Sequence, residues 1–321
     1  MATTLRDVAA EAGVAINTTR KVLSDDPTVR PYIRQRVLAA ARKLRYRPNL
    51  LARALRTREL NLVPITVPHV PTQYFAVLAH ALADELLTAG YEPALCFDAS
   101  RLVAMNHALA TCASILAYSV NEPLVRAVAK RQAVVSINNL LPPIPGVVRV
   151  RFDFETPYRT LTDAVLRQPR KRVAVCSDYY ARCVAAGRWV QKFDVVERRL
   201  AEAGLRTVAP DGKPCFTGPE EFVDFVCAHR GAVDTVFCED DTVAARVFGL
   251  LAHGGMRIPD DVLVIGCDAD LVMPGAWSVR IDRREIARHA VELLKLLLAT
   301  PRASEERVVV PVPVDDRGEA V

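Results

Sequence analysis

Near residue 60 the apolar periodicity of this sequence changes, and that change limits the possible folds more than any other feature. Before it, apolar residues recur at helical spacing in short runs. Thr4 is followed by Leu5, Val8, Ala9 and Ala12 at i, i+3, i+4 and i+7, and the run stops at Gly13. Only Gly13-Val14-Ala15 separates it from a second segment, Ile16 to Leu23, which Ser24-Asp25-Asp26-Pro27 ends. Helix, short glycine-containing turn, helix is the sequence form of a helix-turn-helix. A third run, about Pro31 to Arg45, puts Ile33, Val37, Leu38, Ala41 and Leu44 on one face and Arg34, Arg36, Arg42, Lys43 and Arg45 on the other. Pro48 stops that helix, and Asn49 can cap a further short one through Arg56. A helix so short is marginal in water unless something packs on it.

From Leu62 onward, apolar strand-like runs alternate with helical stretches. The first round is strand 62–67, helix 75–90, strand 92–97, strand 113–118, helix 123–131, strand 133–137 and strand 147–152, the last reached through a proline-rich connector, 141–146. The second is helix 156–167, strand 172–176, helix 189–203, strand 206–209, helix 220–229, strand 235–238, helix 242–254, strand 262–266 and helix 284–299. Such alternation means parallel sheets covered by helices on both faces. Two rounds predict two similar subdomains with ligands at the carboxyl ends of the strands, and 321 residues leave room for that and a small head.

Charge divides at the same place. Residues 1–60 hold 13 Lys and Arg against five Asp and Glu, whereas the rest holds 29 against 32. A basic head on a mildly acidic body suits a chain that meets a polyanion at one end only. No run reaches the about 18 uncharged apolar residues of a membrane span. The N-terminus has no basic stretch leading into an apolar one, and the eight cysteines stand singly without a CxxC pair. A cytoplasmic, thiol-bearing chain without membrane, metal or disulfide framework is expected.

An enzyme would need chemistry that the motifs do not supply: GxSxG, HExxH, GxxxxGK[ST] and GxGxxG are all missing. Glu239-Asp240-Asp241 could hold a metal or work as acid and base, but consecutive carboxylates at a helix start point in different directions. His80 and Asp84, at i and i+4, read as a solvated helix face. No catalytic residue, metal or cofactor is expected.

The head carries a more specific pattern. Leu5, Asp7-Val8-Ala9, Ala12-Gly13-Val14, Thr18, Val22-Leu23, Val29, Arg34, Val37, Ala40, Leu44, Tyr46, Pro48-Asn49, Ala52-Arg53 and Leu55 together resemble the DNA-binding head and hinge of the lactose-repressor/galactose-repressor family. The body resembles that family's effector domain, which is itself similar to periplasmic sugar-binding proteins. The stretches that carry this are Val236 to Asp241, Gly254 to Asp268, Trp277 to Asp282 and Ala290 to Leu294. The resemblance is weaker between about 140 and 230.

The implied fold class is α/β: an N-terminal three-helix helix-turn-helix head with a hinge helix, then a two-subdomain periplasmic-binding-protein-like effector domain with parallel sheets flanked by helices. The implied boundaries are a head at 1–47, hinge and linker at 48–59, an effector and dimerisation domain at 60–316, and a tail at 317–321. Within the effector domain, 60–152 with 283–302 would form the N-subdomain and 153–282 with 303–316 the C-subdomain.

The family implies a homodimeric repressor on a palindromic DNA operator, the second helix lying in the major groove. Ile16, Asn17, Arg20 and Lys21 are then the candidate base contacts: Asn pairs with adenine, a cation donates to guanine, and Ile touches a thymine methyl. Arg6, Thr18 and Arg34 are candidate phosphate contacts, which fix register without reading sequence. Leu55, flanked by Arg53 and Arg56, matches the hinge leucine that wedges into the minor groove. Two departures predict an altered operator preference: Ala15 stands where the family has a capping Ser or Thr, and Thr19-Arg20-Lys21 replaces Val-Ser-Arg. For a small-molecule effector, sugar or purine-like, the resemblance points to Tyr74, Phe75, Ser119, Phe216 and Asp268. The family's ligand-binding arginine has two equivalents, Arg188 aligning from the strand before it and Lys192 aligning from Ala203-Gly204-Leu205 behind it. A regulator that has lost its effector and represses constitutively is the other reading, and a small-molecule binding protein without DNA function would not need residues 1–56.

Overall fold

The computed structural model describes residues 3–23, 26–44, 46, 61–67, 73–98, 100–102, 113–118, 121–137, 141–188, 190–300 and 305–321. These divide into two compact units, the head and the body. The expected hinge helix, with Arg53, Leu55 and Arg56, lies outside the described residues, as does Ser119.

The head is three helices, α1 (Leu5–Ala12), α2 (Ile16–Leu23) and α3 (Pro31–Lys43). Thr4 and Asp7 start α1 reciprocally: the Asp7 N–H donates to the Thr4 hydroxyl at 3.3 Å, and the Thr4 N–H donates to the Asp7 carboxylate at 2.8 Å. Gly13 ends it with φ of 60°, a left-handed cap that other residues enter at a cost. Arg36 of α3 donates to the Ala12 carbonyl at 2.7 Å, so a basic residue on the outer face of α3 seals the end of α1. Val8, Ala12, Val22, Val37, Ala40 and Ala41 form the core, the helical spacing read in the sequence.

The body holds two sheets. In the first subdomain β1 (Leu62–Thr66), β2 (Glu92–Cys96), β3 (Ala113–Ala117), β4 (Ala133–Ile137), β5 (Val147–Phe152) and β10 (Glu306–Val309) form one six-stranded sheet in the order β10-β5-β4-β3-β1-β2, and every pairing is parallel. Helices α4 (Gln73–Thr88), α5 (Glu122–Ala129) and α11 (Arg283–Ala299) belong with it, α11 packing on α4 and on β4 and β5. A sheet covered on both faces needs strands apolar throughout, and all five residues of β3 are buried.

The second subdomain has a parallel three-stranded sheet, β6 (Val173–Cys176), β7 (Thr235–Cys238) and β8 (Leu263–Ile265). It also has an antiparallel pair, β9 (Ser278–Arg280) with β11 (Val312–Val314). Its helices are α6 (Glu155–Arg167), α7 (Asp178–Ala185), α8 (Gln191–Glu202), α9 (Pro219–Ala228) and α10 (Asp241–His253).

Three details differ from the sequence reading. Residues 306–309 hydrogen-bond to β5, so the final return between subdomains falls between Val309 and Val312 rather than near residue 302. Helix α7 follows its strand with Ser177 as the only break, the Ser177 hydroxyl capping it by accepting from the Tyr180 N–H at 3.0 Å. The strand expected at 206–209 is a single bridge, Val208 to Ala174.

Candidate functional site

Helix α2 has two faces. Thr19 and Val22 face the head's core, and the Thr19 hydroxyl folds back to donate to the Ala15 carbonyl at 3.2 Å. On the other face Ile16, Asn17 and Lys21 are exposed. Arg20 is half-buried and donates to the Asn17 side-chain oxygen at 2.6 Å, so these two candidate base readers form one unit. Thr18 is half-buried and Arg6 exposed on α1. Arg34 donates to the Asp26 carbonyl at 2.6 Å, which makes it a brace between α3 and the turn before it. Lys21 lies 3.7 Å from the Asp26 carboxylate.

In the body, polar groups converge where the two subdomains face each other. Tyr74 on α4 and Tyr118 after β3 put their hydroxyls 2.5 Å apart, and the Phe75 ring meets both edge-on. Tyr118 takes a positive φ of 55°. From Tyr118 a run of ring contacts continues through Phe152 and Phe154 to Tyr158, joining the end of the first sheet to the second subdomain's core. Lys192 on α8 lies over the Phe154 ring at 4.9 Å and donates to the Cys267 thiol at 3.2 Å and the Glu239 carbonyl at 3.3 Å. Burial favours its neutral form, but Cys267 and Asp268 outweigh that and hold the amine above the ordinary lysine range.

Asp268 follows β8 with a strained φ of 106°. Among the described residues its carboxylate accepts no hydrogen bond. Burial pushes it up to about 7, against the opposing pull of Lys192 and Arg283. A carboxyl held near neutrality and unpartnered in a cleft marks a functional candidate.

Asp241 shapes this loop. Its buried carboxylate accepts from the Ser278 hydroxyl at 2.7 Å, the Asp270 N–H at 2.7 Å and the Leu271 N–H at 3.1 Å. A side chain on Gly266 would meet Asp241 Oδ1 at 2.2 Å, so the approach requires glycine. The acidic triplet is divided in its work. Glu239 accepts from the Ser177 hydroxyl at 2.8 Å, Asp240 caps α10, and Asp241 fixes the loop. Among the described residues no group of three or more such ligands could hold a metal ion.

Of the two candidate equivalents of the ligand-binding arginine, Arg188 is exposed in the turn after α7 and Lys192 on α8 lies against Cys267. One expected ligand contact is corrected. Phe216 is not a cleft wall: it is fully buried against Phe222 and Phe225 in the second subdomain's core. Its backbone explains this, since the Phe216 N–H donates to the Val175 carbonyl at 2.9 Å, extending the sheet and turning the ring under α9. Tyr158 and Arg283 were not anticipated. Tyr158 is completely buried, and its hydroxyl faces the Cys267 thiol. Nothing in the helical spacing of α6 announces a polar tip at that depth.

The profile for the lacI family of bacterial regulatory proteins matches residues 4–49, and that for a periplasmic binding protein-like domain matches residues 171–318. The ribose operon repressor of Bacillus subtilis (strain 168) is 25% identical over 324 residues, covering 96% of each chain. Among solved structures, a lac repressor dimer bound to operator and the anti-inducer ONPF superposes with a TM-score of 0.79 at 16% identity, covering all of both chains. The complex of the transcriptional regulator CelR with cellobiose gives 0.64 at 21% identity, covering 97% of this chain and 98% of that one. At such identities these two likenesses speak for the fold. Among the described residues no helix is long and apolar enough to cross a membrane. With a head matched by the lacI-family profile and a two-subdomain body by the periplasmic binding protein-like one, this chain is a DNA-binding transcriptional regulator built on the LacI-family plan.

Proposed function

We propose that this regulator represses transcription in the cytoplasm by binding a palindromic operator as a homodimer, and that a small molecule in the cleft adjusts its grip on DNA. The observation that carries the reading is the outward face of α2, where Ile16, Asn17 and Lys21 are exposed beside a packed core. One head offers few base contacts, so two related by a dyad are required for a specific site. Asn17, Arg20, Lys21 and Ile16 read bases, Arg6, Thr18 and Arg34 contact phosphates, and Leu55 with Arg53 and Arg56 opens the minor groove. The Asn17–Arg20 bond supports a joint contact by the two side chains rather than independent ones.

In the cleft, Tyr74, Phe75, Lys192 and Asp268 hold the effector, joined by Ser119. Aromatic faces beside a carboxylate and an amine suit a polyhydroxylated sugar or a purine-like ring. Cellobiose in CelR and the naming of a relative for the ribose operon favour the sugar. Closure of the cleft is coupled to the hinge by a free energy of about 1–3 kcal/mol. A second reading, an effector-independent repressor, draws on Lys192, whose ammonium is already engaged by Cys267, Glu239 and the Phe154 ring.

Selection of random duplex DNA by the purified protein at near-physiological salt tests the first part. An enriched palindrome is expected, and binding without enrichment overturns it. Titration of sugars against the recovered operator then separates the two readings, because an effector-independent repressor responds to none.

A further inference from the structure

Arg283 is the first residue of α11, at a helix end where the backbone dipole disfavours cations. It is nonetheless 8% exposed. Its guanidinium leaves the helix and lies over the Tyr74 ring of α4 at 4.8 Å. Nη1 donates to the carbonyls of Ile281 and Asp268, both at 2.7 Å, and Nη2 lies 2.5 Å from the Asp270 carboxylate. The Nη2 contact is an ion pair set off the N–H directions. Tyr74 and the body of α11 belong to the first subdomain, and Asp268 and Asp270 to the second. One buried cation therefore ties the subdomains together at the residue proposed to meet the effector.

We infer that Arg283 is the latch that holds the two subdomains closed and aims Asp268 into the cleft. It is a positioning residue, acting through the 268–270 loop rather than on a ligand. Burial pushes Asp270 upward and the Arg283 charge pulls it back, so without the cation a half-buried carboxylate is drawn towards water. The closed arrangement then loses its main polar tie. The role of the latch in signalling rests on the effector reading above, but its existence does not.

Cys267 reports the latch without any ligand. It is fully buried, its thiol accepts from Lys192 at 3.2 Å, and the next residue, Asp268, is the one whose carbonyl Arg283 holds. Burial pushes its thiol up to about 12. Opening both exposes it and returns it towards the ordinary range, where thiolate reacts. Cys176 and Cys238 lie in the second subdomain's core and react only when that core unfolds.

The test is labelling of the full chain with N-ethylmaleimide, followed cysteine by cysteine by peptide mass spectrometry. Arg283→Gln is expected to accelerate labelling of Cys267 by about tenfold or more, as local opening does, while Cys176 and Cys238 keep their wild-type rates. Arg283→Lys restores part of the protection. Asp270→Asn breaks the same ion pair from the other side, leaves the two carbonyl contacts of Arg283 intact, and carries the test if Arg283→Gln does not fold. Wild-type labelling of Cys267 in both variants overturns the latch. So does parallel acceleration of all three cysteines, which reports loss of stability instead of opening.

Discussion

Asp268 should make the protein less stable as pH rises from about 4 towards neutrality, and replacing it with asparagine should remove that dependence. Burial lifts its carboxyl from an ordinary 3.8 to about 7, so the folded chain holds a proton that the unfolded chain has released. Stability therefore falls as pH rises from about 4 to about 7 and is level above, the direction opposite to that of a carboxylate held by a salt bridge. At about 1.4 kcal/mol per tenfold change in proton affinity, the full lift amounts to about 4 kcal/mol. Asn keeps the shape and cannot ionise. Urea unfolding should show Asp268→Asn the more stable by only about 1.6 kcal/mol at pH 5, where the wild-type side chain is neutral in the folded chain but already ionised in the unfolded one. The variant should become the more stable by several kcal/mol at pH 8. Carboxyls that burial also raises, such as Asp241 and Asp270, are common to both proteins and drop out of the difference. A stability difference that stays flat between pH 5 and pH 8 would refute the claim that the folded state holds this carboxyl protonated. A stability cost retained at one residue in a cleft is the pattern of a site kept for binding.

Three further outcomes follow from the packing. Gly13→Ala should lower the melting temperature of the head and weaken all DNA binding, because its φ of 60° disfavours a side chain and the new Cβ would meet Arg36 Nη2 at 2.8 Å; the conformation alone costs about 1–2 kcal/mol. Asn17→Ala should relax base preference at one operator position by about 1–3 kcal/mol and also remove the Asn17 bond to Arg20, so a repeat of the random-DNA selection should show a changed consensus with non-specific affinity preserved. Phe216→Ala should cost about 3–5 kcal/mol of stability in urea unfolding, with effector affinity of the folded fraction unchanged; a selective loss of effector binding would return Phe216 to the cleft.

The legible parts of the sequence were those governed by local spacing. The head could be read because Val8, Ala12, Val22 and Val37 recur at helical intervals and Gly13 marks a turn. The parallel sheets could be read because doubly covered strands are buried from end to end, as β3 and β7 are, and so carry mostly apolar residues. Arg188 and Lys192 could not be separated, since four residues within one helix would share a face. A turn through Gly187, with φ of 64°, breaks the helix between them and leaves only Lys192 on α8. The strand at 306–309 could not be read because it has only four residues and its pairing partner β5 is about 150 positions earlier in the chain.

The same division explains the site. The sequence alone determined that a basic helix-turn-helix precedes two rounds of strand and helix, because periodicity and charge act between near neighbours. Tertiary structure alone decided that Phe216 belongs to a core, that Tyr158 sends a hydroxyl to Cys267, and that Arg283 abandons its helix end to reach Tyr74 and Asp270. Those outcomes depend on which groups long-range packing brings within a few ångströms. At that range burial and charge set the protonation of Asp268 and the engagement of Lys192, and neither can be read from spacing along the chain.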